Sequence, residues 1–232
     1  MKSKVRFGLL WAGAALAALD ALAARPFATE DAGTLAKGAC EIEPVLEQVK
    51  APGEASVRAT TLQGACGVGA GSQVGLGVTR ARAADVSGRG LALSGKTQLV
   101  DGGGSQPSLT MAYGGDWQKI NGGKGYTFSG IGALVTATLP AGDWGTVHAN
   151  LGWRQQRPEK INSGIWAVAL EKAVTSTVDL GVETYGDARS PAWLGTGLRW
   201  TPTAGVSLNA SAAQQSGRER VKAYSLGAKF DF

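Results

Sequence analysis

From about residue 39 to its end the chain alternates apolar and polar residues with a period of two. Little of it repeats with a helical period. In VKAYSLGAKFDF, Tyr224, Leu226, Ala228, Phe230 and Phe232 fall on one face, with Ser225, Gly227, Lys229 and Asp231 between them. VHANLGWR places Val147, Ala149, Leu151 and Trp153 against His148, Asn150, Gly152 and Arg154. TVDLGVETYG, AWLGTGLRW, VSLNASAA and SLTMAYGG repeat the pattern: one face is apolar, the other small, hydroxylated or charged. Such alternation predicts half-buried β-strands.

Turn signals divide the pattern into about twelve strands, at about 39–50, 56–69, 74–83, 89–100, 107–116, 126–139, 144–154, 161–173, 177–185, 192–201, 206–215 and 220–232. The connections GAGS, LPAGDW, AVTST and TPTAG are short, whereas GDWQKINGGKGY, RQQRPEKI and YGDARSPA are longer and polar. From the fifth strand on, the two kinds alternate. VDGGGSQP falls on the short side without being short.

Alternation alone fits two architectures. A soluble β-protein packs its apolar face inward; a membrane barrel turns that face to lipid and its polar face to the lumen. Composition and context favour the second. The chain has 35 glycines, 7 tryptophans and only 18% charged residues. Trp117, Trp144, Trp153, Trp193 and Trp200 lie near strand ends, where interfacial aromatic girdles form. The start, MKSKVRFGLLWAGAALAALDALA, has a basic segment, an apolar run of roughly 13 residues that is too short to span a membrane, and small residues at a cleavage position. Residues 1–24 thus read as a secretory signal peptide and residues 25–232 as the barrel, with 25–38 a periplasmic or lumenal lead-in. The expected fold is all-β: a transmembrane, antiparallel, up-and-down β-barrel of about twelve strands in a bacterial outer membrane, with both termini periplasmic.

Charge narrows the function classes. Removing Lys2, Lys4, Arg6 and Asp20 from the 23 basic and 18 acidic residues leaves 20 and 17, a mild balance that argues against a nucleic-acid protein. Alternation places Glu41, Glu43, Glu47, Lys96, His148, Arg154, Glu171, Asp179, Glu183, Arg199, Lys229 and Asp231 toward the lumen, a candidate solute path. Mixed charges there either line a narrow channel or close a filled barrel with salt bridges. Arg80, Arg82 and Arg89 fall near the extracellular ends of strands three and four, where they would meet lipopolysaccharide phosphates.

Catalysis has little to stand on. His148 is the single histidine; it points inward and is followed two residues on by Asn150 rather than a serine, so no nucleophile–base pair is marked. DGGGS lacks the Lys-Ser/Thr and helix of a phosphate loop. GVGAGSQVGLG lacks the helix of a dinucleotide site. No CxxC or metal-ligand spacing occurs, so no cofactor or metal is expected.

The two cysteines, Cys40 and Cys66, flank a turn built on Pro52 and Gly53. A hairpin centred on Gly53 pairs residues whose numbers sum to a constant, which sets Cys40 opposite Cys66 if no bulge intervenes. Directly opposite positions lie within disulfide reach, and the periplasm is oxidising.

Two resemblances complete the reading. A strand ending on an aromatic carboxyl-terminal residue, with Tyr224, Phe230 and Phe232 on one face, looks like the assembly signal of outer-membrane barrels. It implies the barrel assembly machinery as a partner, alongside outer-membrane lipid and lipopolysaccharide. The segment RPFATEDAGT, Arg25 to Thr34, resembles the opening of the MetA-pathway of phenol degradation family, whose members look like outer-membrane transporter barrels. That resemblance implies uptake of small, aromatic solutes. ATEDAGT itself is polar and turn-prone: it would plug the lumen, cap the periplasmic mouth, or form an ordered lead-in without a gating role.

Overall fold

A computed structural model describes residues 27–121, 123–157 and 159–232. The signal peptide expected over residues 1–24 lies outside the described residues. Twelve strands run β1 (Cys40–Lys50), β2 (Val57–Gly69), β3 (Ser72–Ala83), β4 (Val86–Val100), β5 (Ser108–Ile120), β6 (Thr127–Pro140), β7 (Thr146–Gln156), β8 (Ile161–Ala173), β9 (Val178–Asp187), β10 (Trp193–Thr203), β11 (Val206–Gln215) and β12 (Lys222–Asp231). Each pairs antiparallel with its sequence neighbours, and β12 pairs with β1, closing the barrel. At the seam Cys40 N–H donates to Phe232 O (2.7 Å) and Phe232 N–H to Cys40 O (2.9 Å).

Alternation fixes what each face presents. Large apolar side chains stand outward and exposed all round the barrel: Leu46, Leu76, Leu93, Leu151, Val182, Leu194 and Leu226 are each more than half exposed. A continuous apolar wall of this kind requires lipid rather than water. The strands, 10 to 15 residues long, match or exceed the roughly 9–11 residues a tilted membrane strand needs. The interior holds no conventional hydrophobic core. Among the described residues the largest fully buried side chains are Val45, Thr29, Thr110 and Thr136, and a small apolar cluster joins Ala112, Leu134 and Ile165.

The first hairpin pairs in the expected register, Cys40 with Cys66 and Val49 with Val57, without a bulge. Cys40 and Cys66 form a disulfide with Cα atoms 4.1 Å apart.

Two details differ from expectation. β5 runs on to Ile120, so Trp117–Ile120 are strand rather than loop. β7 and β9 likewise extend to Gln156 and Asp187, which shortens the polar connections at that end. Trp193 does not join an outer girdle. It faces inward and stacks on Tyr185, ring centroids 5.9 Å apart. The odd-numbered positions of β10 face the lumen, and Trp193 falls among them despite lying at a strand end.

Candidate functional site

Inward positions collect every strand carboxylate. The register puts Glu41, Glu43, Glu47, Asp116, Glu171, Asp179, Glu183, Asp187 and Asp231 on the lumenal side, with Lys96, Arg154, Arg199, Lys229 and His148 among them. All the inward residues expected from the sequence are in this set. The structure joins them in clusters. Near the Cys40 end, Lys229 bridges Glu41 (2.9 Å) and Asp231 (3.3 Å). Arg199 reaches Glu171 (2.8 Å) and Asp179 (3.9 Å), and His148 Nε2 lies 3.4 Å from Glu171. Farther along the lumen Arg154 reaches Asp116 (3.3 Å), which also accepts a bond from Ser129.

Residues 27–39 cross this lumen as a plug. The Phe27 ring is buried over β9, where Gly181 makes room: a Cβ at Gly181 would stand 2.3 Å from Phe27 Cζ. The Glu183 carboxylate accepts bonds from the Ala28 and Thr29 amides (3.1 and 3.0 Å) and the Thr29 hydroxyl (2.9 Å). Asn150 reads the Glu30 backbone from both sides, accepting from its N–H (2.7 Å) and donating to its C=O (2.8 Å). Thr138 accepts from Ala32 N–H, Thr110 donates to Ala32 C=O, and Gln73 accepts from Leu35 N–H. Lys96 closes the arrangement on Glu30 (2.5 Å) and Asp31 (3.3 Å). Buried backbone groups cost free energy unless paired, so these side chains are what lets an irregular segment lie inside the barrel. The segment leaves the lumen by running beside β2, where Gly38 N–H donates to Gly67 O (2.9 Å).

Beside the plug a cavity of about 220 Å³ remains. The small residues Ala65, Gly75 and Ser94 of β2–β4 leave the space, and Glu30, Asp31, Glu41, Glu43, Gln63, Lys96 and Lys229 supply its polar lining. Two buried oxygens there, Glu30 Oε2 and Gln63 Oε1, have no hydrogen-bond partner. Burial pushes the Glu30 carboxyl up to about 7; Lys96 opposes that rise, and the charges of Asp31 and Glu43 add to it.

His148 has a hydroxyl on one side and a carboxylate on the other, Thr138 (3.0 Å) and Glu171 (3.4 Å). This order resembles a nucleophile–base–acid relay. The Thr138 oxygen, however, accepts the Ala32 amide (2.8 Å), and Arg199 holds Glu171. The chain therefore ties the plug to the wall.

Sequence reasoning missed Asp116 and the plug's own contact residues, Thr29, Glu30 and Asp31. Extending the Thr110–Ala112 alternation by four residues reaches Asp116. The strand expected over 107–116 includes it, but the alternation is followed only as far as SLTMAYGG, and GDWQKINGGKGY reads as the connection. Nothing local marks Thr29, Glu30 or Asp31 as buried.

The chain belongs to the family described as "Uncharacterised conserved protein UCP029691", whose model matches residues 8–229. No curated protein matches the chain. Among solved structures, the KdgM porin aligns with a TM-score of 0.58 at 10% identity, over 82% of this chain and 99% of that one. The NanC porin aligns with a TM-score of 0.58 at 12% identity, over 81% and 98%. The translocator domain of the autotransporter NalP from Neisseria meningitidis aligns with a TM-score of 0.50 at 14% identity, over 100% and 98%. These likenesses establish the fold, a closed antiparallel barrel of the outer-membrane porin type. The MetA-pathway name suggested by the N-terminal segment finds no support in the family match; the barrel that it implied is the fold shared with the solved porins.

Proposed function

We propose that this member of the family is an outer-membrane channel for small solutes, constricted by its own N-terminal segment and selective for cationic or donor-rich solutes. The carrying observation is the cavity beside the plug. Four carboxylates, Glu30, Asp31, Glu41 and Glu43, face it against Lys96 and Lys229, and it presents the unpartnered oxygens of Glu30 and Gln63. Excess carboxylate in a narrow pore favours cations, and unpaired acceptors favour ligands bearing N–H or O–H groups. The KdgM barrel has been solved in complex with oligogalacturonate, a polyanion; the acidic lumen here suits the opposite charge.

The expected uptake of aromatic solutes has one supporting feature, the Tyr185–Trp193 stack, which offers a flat surface inside the lumen. The outward aromatic side chains at the end of β12 support recognition by the barrel assembly machinery. With both termini periplasmic, the plug constricts the periplasmic half.

A second reading, a permanently closed structural barrel, draws on the plug's hydrogen bonds to β3, β5, β6, β7 and β9. Planar-bilayer recording of the mature protein separates the two. The channel reading expects small stepwise conductance with cation preference, reduced by Glu43→Gln. Absence of conductance from a folded, heat-modifiable sample that also fails to conduct after residues 27–36 are deleted favours the closed barrel.

A further inference from the structure

The outer face of the barrel sorts its charges as sharply as the lumen. Every carboxylate carried by a strand faces inward, so the charges on outward strand positions are all basic. Those cations are not spread evenly. Lys50 stands opposite Lys222, Arg58 opposite Arg82, Arg80 opposite Arg89, and Arg89 opposite Lys119. Together they form one band across six adjacent strands, β12 and β1 to β5, at the end of the barrel away from Cys40. With strands ~4.8 Å apart the band is about 24 Å wide. On the other half, outward positions at the same end are neutral: Phe128, Gln155, Asn162, Leu194 and Gln214. Lys172, the outward cation of that half, lies at the Cys40 end.

Directly opposed like charges on a sheet are destabilising. Here four such pairings occur in a row, and among the described residues none of these side chains forms an ion pair with a carboxylate. The acids of the adjoining connections, Glu54, Asp85 and Glu219, lie in the turns beyond the strand ends. Immediately toward the membrane from the band stand exposed Leu62, Leu76, Val78 and Leu93. A row of cations above an apolar wall is complementary to an amphiphile with several phosphates on its headgroup and acyl chains below it.

We propose that this half of the barrel binds a phosphorylated glycolipid of the outer leaflet, its phosphates on the Arg58–Arg82 and Arg80–Arg89 pairs and its acyl chains against the β2–β4 wall. Lysine at Lys50, Lys222 and Lys119 extends the field at the flanks, while the arginines supply bidentate contacts. The inference rests on the barrel spanning an outer membrane with both termini periplasmic, and not on its being a channel. The one-sided band also fixes how the barrel faces its annulus of lipid.

The test uses the purified mature protein in detergent and a diphosphorylated, hexa-acylated lipid A as probe, with retained lipid counted by native mass spectrometry. The same lipid stripped of phosphate, and inorganic phosphate, serve as comparisons. Retention of the phosphorylated lipid should fall about tenfold in Arg80→Gln/Arg89→Gln, and the dephosphorylated lipid should be retained about tenfold less by the wild type. Arg58→Gln/Arg82→Gln provides a second variant, and heat-modifiable gel mobility reports that each is folded. Equal retention by wild type and both variants, or of the two lipids, overturns the proposal. Displacement of the lipid by inorganic phosphate at comparable concentration overturns the lipid as occupant.

Discussion

Lys96 Nζ on β4 lies 2.5 Å from Glu30 Oε1 in the N-terminal segment, and both side chains are nearly inaccessible to solvent, 4% and 5%. A buried cation from the wall thus holds the plug by its most buried carboxylate. Removing one partner of such a pair strands the other in a low dielectric. Lys96→Met is therefore expected to destabilise the docked plug by about 3–5 kcal/mol. Proteolysis within residues 27–39 should quicken, and conductance should rise, while the barrel remains heat-modifiable.

Glu30 gives the plug a pH dependence. Its carboxyl, raised by burial from 4.5 to about 7, is protonated more readily docked than free. The docked state therefore binds more protons between those values, and its stability falls as pH rises through that window. Protection of the amides of residues 27–36, taken relative to their intrinsic exchange rate at each pH, should be greater at pH 5 than at pH 8, and Glu30→Gln should flatten the difference. Lys96, Asp31, Glu43 and His148 face or neighbour the same site, so the variant, rather than the wild-type profile alone, assigns the effect. Cation preference in bilayers should rise over the same interval as Glu30 ionises.

Phe27 is the plug's apolar anchor, 2% exposed against the bare face of Gly181. Phe27→Ala should weaken docking by about 3 kcal/mol, the lower end of the cost of emptying a buried aromatic site. Faster cleavage of the segment with unchanged unfolding of the barrel in urea would fit; unchanged cleavage would mean the ring does not anchor it.

The disulfide should matter to the barrel rather than to the plug. Cys40→Ser/Cys66→Ser is expected to lower stability by about 2–4 kcal/mol, read as a shift in the urea midpoint for loss of heat-modifiability. The hairpin ladder between Cys40 and Val57 already restrains the same segment, which favours the lower value.

Lumenal charge should set selectivity. Glu43, 5% exposed and bonded by Gln63 at 2.5 Å, borders the cavity. Reversal potentials in a salt gradient should move toward anion permeation in Glu43→Gln, and further in Glu41→Gln/Glu43→Gln.

Where the sequence was legible, the reason is the strict period of a strand. A turn at Pro52–Gly53 without a bulge on either flank makes Cys40 meet Cys66. Inward Glu183 and outward Val182 follow from the same count. The reading failed where local chemistry and the wall disagreed. The stretch Trp117–Ile120 reads as part of a polar connection, yet it continues β5 because β4 supplies its ladder, Trp117 opposite Leu91 and Lys119 opposite Arg89. Trp193 reads as a girdle residue because it lies at a strand end, although its place in the alternation, on the face of Gly195, Gly197 and Arg199, already turns it inward onto Tyr185.

By itself the sequence determined the strands, their register and the sorting of carboxylates to one face, because each depends on neighbours two residues away or across one turn. What lies inside the barrel was decided by the closed tertiary structure. Glu183 meets Thr29 across 154 positions and Asn150 meets Glu30 across 120. Such contacts carry no periodic signal; they exist because closing the sheet brings seven strands around one short polar segment. The same closure joins the arginines of β2, β3 and β4, of which Arg80, Arg82 and Arg89 were legible at their strand ends, with the lysines of β12, β1 and β5 into a single band on one side of the wall.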